Sequence, residues 1–250
     1  MIDRNKYAIA SIVSRIDSAP DLWIVRIRPE IDFPYRPGQY VTVGLPSNGK
    51  VLERPYSICS SPQEDHLELF IERVQSGALS DRLFQLGVGS EVIIRRSPKG
   101  VFLREAPFID QPNMFISTVT GIAPFISLLR THSARARIGL GAPARVVVLQ
   151  GAAKSAEFGY ADELISLQRE FDWFSYVPTV SRPAEDPGWA GERGRVEDVL
   201  RKHADAAGMY PSYGGFFLCG HPGMISAARQ VLRRAGFDDG VIREEQYWPD

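Results

Sequence analysis

Apolar and polar positions along the chain follow two rhythms. From Tyr7 to Arg95 the apolar residues come in short runs rich in Val, Ile and Leu. These runs are Tyr7 to Ile16, Leu22 to Ile27, Gln39 to Leu45, Arg54 to Ser60, Leu67 to Val74 and Glu91 to Arg95. Turn signals separate them: Ala19-Pro20-Asp21, Arg36-Pro37-Gly38, Pro46-Ser47-Asn48-Gly49-Lys50 and Ser61-Pro62-Gln63. Short strands at regular spacing predict an antiparallel barrel or sandwich. One short helix is predicted over Leu79 to Leu86. From Asn113 onward, strands and helices alternate. Strands are predicted at Asn113 to Thr118, Arg145 to Leu149, Phe174 to Thr179 and Gly215 to Cys219. Helices are predicted at Pro124 to His132, Ala161 to Glu170, Arg195 to His203 and Pro222 to Ala235. Repeated β-then-α predicts a parallel sheet with helices on both faces. The rhythm changes between Arg104 and Pro112, a stretch with two prolines and no period. The expectation is an antiparallel β-barrel over 1–108 followed by an α/β parallel-sheet domain over 109–250, both of ordinary size.

Composition narrows the function. The 250 residues are 44% hydrophobic and 24% charged, enough to bury a core and too apolar for a disordered chain. A net charge of -1, from 29 basic and 30 acidic residues, gives no global field for nucleic acid or an anionic membrane. Met1 to Lys6 carries charges where a signal peptide needs an apolar core. The mostly apolar run Met114 to Leu129 is too short to span a bilayer and is interrupted by Gly121 and Pro124. These features predict a soluble, cytoplasmic protein. Cys59 and Cys219 are the only cysteines. They cannot supply the four ligands of an iron–sulfur or zinc–thiolate site and are expected as free thiols.

The densest chemistry lies in Glu53-Arg54-Pro55-Tyr56-Ser57-Ile58-Cys59-Ser60. A guanidinium can clamp phosphate in a fork, and a neighbouring tyrosine ring can stack on a planar group. The same four residues could also be an ordinary barrel strand with Arg54 snorkelling. Downstream, Gln75-Ser76-Gly77-Ala78-Leu79-Ser80 runs into the short helix. Such a turn presents backbone N–H groups to a phosphate; alternatively Gly77 only bends the chain and Ser80 caps the helix. In the second half, Ser117-Thr118-Val119-Thr120-Gly121-Ile122-Ala123-Pro124 leaves a strand and enters a helix, with Pro124 suited to the first turn. An α/β sheet receives a dinucleotide at such a place, although the three-glycine fingerprint is missing. Lys154, Ser181 with Arg182, and Arg195 follow successive strand ends, where three cations could converge on an extra phosphate. Phe216-Phe217-Leu218-Cys219-Gly220-His221-Pro222 ends an apolar strand in a small thiol and a glycine, leaving room for a flat ring. Buried cysteine is also common in any core. No metal-ligand motif is visible.

Taken together, these motifs resemble the ferredoxin–NADP reductase family of flavoproteins, of the bacterial ferredoxin/flavodoxin reductase type, over nearly the whole chain. The resemblance implies FAD in the barrel and NADP(H) in the α/β domain. It places Arg54 on the FAD pyrophosphate, Pro55 beside it, Tyr56 on the isoalloxazine and Ser57 near flavin N5. Ile71, Glu72, Arg73 and Val74 join the cofactor set, and Gly77, Ala78, Leu79 and Ser80 form a second FAD phosphate turn. Thr120, Gly121, Ala123 and Pro124 form the NADP pyrophosphate turn; Lys154, Ser181, Arg182 and Arg195 form the 2′-phosphate clamp. Cys219 and Gly220 lie beside the nicotinamide. Tyr247 and Trp248 in the tail cover the flavin, Tyr247 moving aside during turnover, and Glu245 is a candidate proton relay. Ser57, Cys219, Glu245 and Tyr247 are thus the expected catalytic set.

The chain departs from the family pattern at three places. Val119 stands where the usual residue is glycine, Lys154 replaces a usual arginine, and Pro249-Asp250 extends past the terminal aromatic. The implied activity is hydride transfer between NADP(H) and FAD, with single electrons passed to or from a ferredoxin or flavodoxin. The chain is expected to be a monomer or weak dimer. One alternative is a reductase component serving an oxygenase or cytochrome system through a separate ferredoxin. Another is a flavin- or nucleotide-binding regulatory module without catalysis. The arginines available for an acidic carrier, Arg26, Arg28, Arg36, Arg73 and Arg95, are scattered in sequence.

Overall fold

A computed structural model of the chain describes residues 3–75, 77–103, 110–211 and 213–247. They form two compact units. The first takes residues up to 103 together with Ala123–Thr131; the second takes 110–122 and 132–247. The expected boundary at 108/109 lies outside the described residues.

The first unit is an antiparallel sheet of β1 (Tyr7–Ala19), β2 (Leu22–Pro29), β3 (Tyr40–Ser47), β4 (Lys50–Ser57), β5 (Leu67–Glu72) and β6 (Glu91–Arg95), with a short helix α1 (Ser80–Phe84) between β5 and β6. The strand order is β4-β3-β6-β1-β2-β5. A bridge between Ile58 and Leu69, with Cys59 N–H donating to Glu68 O at 2.8 Å, joins the two ends of the sheet and closes it. Closure removes the unpaired edges that an open sheet would expose. Alternate residues point inward: Ala8, Ala10 and Ile12 from β1, Trp23, Val25 and Ile27 from β2, and Val41, Val43 and Leu45 from β3 are buried in one cluster.

β4 begins at Lys50, four residues before the expected start at Arg54. The reason is the turn. Asn48 and Gly49 both take positive φ, 48° and 75°, and Ser47 pairs with Lys50, giving a two-residue hairpin that continues the ladder directly. α1 is a single turn rather than the eight residues expected.

The second unit is a parallel sheet of β7 (Asn113–Thr118), β8 (Val146–Ala152), β9 (Phe174–Val180), β10 (Glu192–Arg193), β11 (Gly215–Gly220) and β12 (Ile242–Gln246). Its order is β10-β9-β8-β7-β11-β12. Its helices are α3 (Ala161–Glu170), α4 (Val196–Ala206) and α5 (Pro222–Arg234), while α2 (Ala123–Arg137) has Ala123–Thr131 in the first unit and the rest in the second. Every residue of β8 and β11 is buried, as expected of central parallel strands. Val196, Leu200, Ile225 and Leu232 of α4 and α5 cover the face lined by Met114, Ile116, Val147, Leu149, Phe216 and Leu218. The sequence pattern predicts four strands here. β10 and β12 escape it because they are the edges of the sheet and carry mostly charged residues, leaving no apolar run to detect.

Candidate functional sites

In the first unit, period-2 geometry puts Arg54 and Tyr56 on one face of β4, with Pro55 and Ser57 on the other. Tyr56 is half-buried and rests against the barrel core. Arg54 Nη1 donates to Glu53 O at 3.1 Å. Glu53 pairs with Arg95, whose guanidinium holds the carboxyl below its ordinary range. Ser57 is buried at the end of β4, opposite Tyr40. Ile71 is buried and Glu72 exposed at the end of β5. Arg73 Nε donates to Asp81 at 2.7 Å, and its guanidinium sits 4.8 Å from the centre of the Phe84 ring.

The turn that follows is built on Val74. Gly77 N–H donates to Val74 O at 2.8 Å, and Val74 N–H donates to Ser80 Oγ at 3.1 Å. Ser80 therefore closes the turn, whereas Leu79 occupies the N-cap position with no capping side chain. Gly77 is needed for room: a Cβ there would lie 2.7 Å from Ser80 Oγ and 2.8 Å from Val74 O. Leu79 is buried and Ala78 exposed.

In the second unit the chain leaves β7 through a short 3-10 turn, Val119–Ile122, and enters α2 with a proline in its first turn. This turn and the end of β11 are keyed into each other. A Cβ on Gly121 would sit 2.3 Å from Cys219 O, and one on Gly220, whose φ is +128°, would sit 2.4 Å from Thr118 Oγ1. The same hydroxyl accepts from His221 N–H at 3.1 Å. Thr120 is half-exposed, while Gly121, Ala123 and Pro124 are buried.

Cys219 is fully buried, in register with Ser117 on β7 and Glu245 on β12. Burial raises its thiol well above the ordinary range; the Glu245 carboxylate adds to this and a hydrogen bond from the Tyr247 side chain opposes it. The group is therefore a neutral thiol. Tyr247 N–H donates to Gly220 O at 2.9 Å, tying the tail to the strand end. Trp248, Pro249 and Asp250 lie outside the described residues. Ser117 Oγ is buried with no hydrogen-bond partner among the described residues.

Lys154, Arg182 and Arg195 each stand two residues beyond a strand end, on β8, β9 and β10 in turn. Lys154 Nζ and Arg182 Nη1 both meet Glu185, at 2.9 and 3.9 Å, and Lys154 holds that carboxyl below its usual range. Arg195 Nη1 lies 3.6 Å from Glu197 instead. Ser181 Oγ donates to Ala152 O at 3.2 Å. Sequence reasoning missed Glu185, and also Asp186, which accepts from Ser155 N–H at 2.6 Å. Only the fold of the Pro183–Glu185 turn brings them to the cations. Of the scattered arginines, Arg26, Arg28, Arg73 and Arg95 are each paired with a carboxylate: Glu68, Asp65, Asp81 and Glu53.

Comparison with known proteins identifies the two domains. Residues 13–103 match the oxidoreductase FAD-binding domain, and residues 115–230 match the oxidoreductase NAD-binding domain. The chain is 34% identical over 206 residues to ferredoxin–NADP reductase B of Sorangium cellulosum, covering 80% of each. It is 29% identical over 237 residues to the phenol 2-monooxygenase reductase component DmpP of Pseudomonas sp. strain CF600, covering 93% of this chain and 63% of that one. A crystal structure of a ferredoxin NADP+ reductase from Neisseria gonorrhoeae with bound FAD and NADP superposes with a TM-score of 0.83 at 24% identity, over 97% of this chain and 99% of that one. At that identity the likeness is one of fold. A barrel of the FAD-binding class joined to a parallel-sheet domain of the NAD-binding class defines a flavin- and nicotinamide-dependent oxidoreductase. Within that class, the chain belongs to the ferredoxin–NADP reductase family.

Proposed function

We propose that the chain is a ferredoxin/flavodoxin–NADP(+) reductase. The observation that carries this reading is the keyed pair of backbone segments, Thr118 to Gly121 against Cys219 to His221, in a chain 34% identical to a ferredoxin–NADP reductase. FAD and NADP(H), when bound, supply hydride exchange and the splitting of an electron pair into single electrons for a small carrier. The chain supplies binding, orientation and exclusion of water.

In this reading Arg54 binds the FAD pyrophosphate, Tyr56 offers its ring to the isoalloxazine, and Ser57 offers its hydroxyl. Ile71 to Val74 and Gly77 to Ser80 line the rest of the flavin site. With α1 only one turn long, backbone N–H groups of the Gly77 turn matter more than a helix dipole. Thr120, Gly121, Ala123 and Pro124 receive the dinucleotide pyrophosphate. The unpartnered Ser117 Oγ at the end of β7 fits a polar ligand group arriving there. Lys154, Ser181, Arg182 and Arg195 recognise the 2′-phosphate. Cys219 acts as a small neutral wall rather than a nucleophile. Glu245 relays a proton, and Tyr247, with Trp248, is the aromatic cover; Tyr247 moves aside during turnover, and its N–H bond to Gly220 O is one contact that opposes that movement. The preferred cofactor is NADPH, the carrier a ferredoxin or flavodoxin, and the protein a cytoplasmic monomer or weak dimer. Among the described residues no helix is long and apolar enough to cross a membrane.

The test is the spectrum and kinetics of the purified protein. A yellow protein that releases flavin on heating, and whose stopped-flow reduction is faster with NADPH than with NADH, is expected. A colourless protein, or an Arg182→Ala variant with unchanged cofactor preference, overturns the reading. The similarity to DmpP over 93% of the chain supports a second reading, a reductase serving an oxygenase through a separate ferredoxin. The chain's two cysteines fall short of a cluster of its own. Reoxidation of the reduced protein by a panel of ferredoxins and flavodoxins separates the two readings.

A further inference from the structure

Two described non-glycine residues have positive φ. Asn48, at 48°, sits in an Asn-Gly hairpin turn that requires it. Val119, at 43°, has no such excuse. Asparagine visits the left-handed region readily; for a β-branched residue the same φ is an outlier. A conformation of that kind persists only where its surroundings over-determine it.

Two sets of contacts do so. The Val119 side chain rests against the buried cluster of Ala152, Phe158 and Val180, alongside Trp189. Its carbonyl accepts a hydrogen bond from Gln150 Nε2 at 3.3 Å. Gln150 is fully buried in β8, in register with Ser117, and its Oε1 accepts from the Tyr176 hydroxyl at 2.7 Å. The direction of this chain is unambiguous. A carbonyl can only accept, so the amide nitrogen must face Val119; Oε1 then faces Tyr176, whose hydroxyl must donate. Burial also pushes the Tyr176 phenol far above its usual value, which keeps that proton in place.

We infer that Gln150 and Tyr176 are positioning residues for the dinucleotide-binding turn, holding Val119 in the backbone conformation that a glycine would adopt unaided. The inference rests on the reading of Thr118 to Gly121 as that turn. The hydroxyl–amide–carbonyl chain replaces a property of the missing residue type with a property of the tertiary structure. It follows that the two residues matter to nucleotide binding only while position 119 carries a side chain.

The experiment is a thermodynamic cycle on the flavin-loaded enzyme, read by NADP+ titration and by steady-state kcat at saturating NADPH. Gln150→Leu is expected to weaken NADP+ about tenfold and Tyr176→Phe about threefold, the scale of one lost hydrogen bond, with kcat held within about twofold. Val119→Gly alone is the reference of the cycle, against which the effect of losing Gln150 is read. In Val119→Gly combined with Gln150→Leu, the affinity lost through position 150 is expected to return. A merely structural glutamine would lower Tm without this rescue of Kd. Parent-like binding by both Gln150→Leu and Tyr176→Phe, or a double variant as weak as Gln150→Leu, overturns the inference. If Gln150→Leu does not fold, Tyr176→Phe with and without Val119→Gly makes the same comparison. A parent enzyme that binds neither NADP+ nor NAD+ sinks the dinucleotide reading instead. Amide exchange at Thr120 and Gly121, faster in Tyr176→Phe and restored with Val119→Gly, then still decides whether the relay exists.

Discussion

The turn at Gly77 and the turn at Val119 both carry a strand into a helix, and they meet the demands of a tight bend in opposite ways. Gly77 is glycine because Ser80 Oγ and Val74 O leave no space for a Cβ. Val119 has the left-handed φ that glycine adopts freely, yet carries a branched side chain lodged against Ala152, Phe158 and Val180. A glycine can thus be required for room or for conformation, and the two requirements differ in how they can be replaced. Where neighbouring main chain sets the room, as at Gly121, it does not yield; where a side chain such as that of Ser80 shares in it, trimming that side chain returns part of the space. Conformation is a matter of energy, on the order of 1–3 kcal/mol for such a residue, and neighbours can offset it. The Gln150 and Tyr176 hydrogen bonds are of the right scale, about 1 kcal/mol each.

Substitutions at the glycines separate these cases. The largest effect is expected at Gly121, where a Cβ would meet Cys219 O at 2.3 Å and the carbonyl carbon at 2.7 Å. Both are main-chain atoms. Gly121→Ala should cost about 3 kcal/mol or more and weaken NADP+ by more than about tenfold, with flavin content kept; a Tm and Kd near the parent's would refute a requirement for room. Next comes Gly77→Ala, at about 1–3 kcal/mol, seen as flavin lost on gel filtration with NADP+ affinity unchanged. Adding Ser80→Ala should recover part of it, since one of the two obstructing atoms belongs to that side chain.

Val119→Gly should change stability by less than about 1 kcal/mol, because relief of strain is opposed by the entropy of glycine and the lost packing. A large gain in Tm would mean that the strain is not offset by the structure around it. The smallest effect is expected at Glu185, an exposed carboxylate already engaged by Lys154 and Arg182. Glu185→Gln should raise the preference for NADPH over NADH by about two- to fivefold at low salt, shrinking as ionic strength rises. Its carboxyl pKa is lowered, so the ion pair is in place above the ordinary carboxylate range and is lost only as pH falls through the lowered value. Glu185 should therefore contribute no step to the parent's cofactor preference between about pH 7 and 8, a window that also lies above the second ionisation of the 2′-phosphate, at about pH 6. A bell or slope in that window would point to another group.

Much of this was legible in the chain. The period-2 runs before Arg95 mark the barrel strands, because a strand with one buried face must alternate. The solid apolar runs Met114 to Ile116, Val146 to Leu149 and Phe216 to Leu218 mark central parallel strands, which are buried on both faces. Arg54-Pro55-Tyr56-Ser57, Thr120-Gly121 and Cys219-Gly220 stand out as candidates because cations, hydroxyls, aromatic rings and glycines gather there at strand ends, where binding residues concentrate. The edge strands β10 and β12 were illegible, since an edge needs no apolar run to be stable.

The amino-acid sequence by itself determined the two rhythms, the order of the elements, the residue types offered at each strand end, and a valine at position 119, where the family it resembles usually has glycine. These are local properties, set by side-chain chemistry and spacing along one chain. Tertiary structure alone decided which residues those side chains meet. It set Glu185 between Lys154 and Arg182, pressed Gly121 against Cys219, and brought Gln150 and Tyr176 behind Val119. Residues 119, 150 and 176 are far apart in sequence, and no local rule links them. The neighbouring strands β8 and β9 and the turn after β7 bring them together through two hydrogen bonds, and with these comes the means of holding a valine in a glycine's conformation.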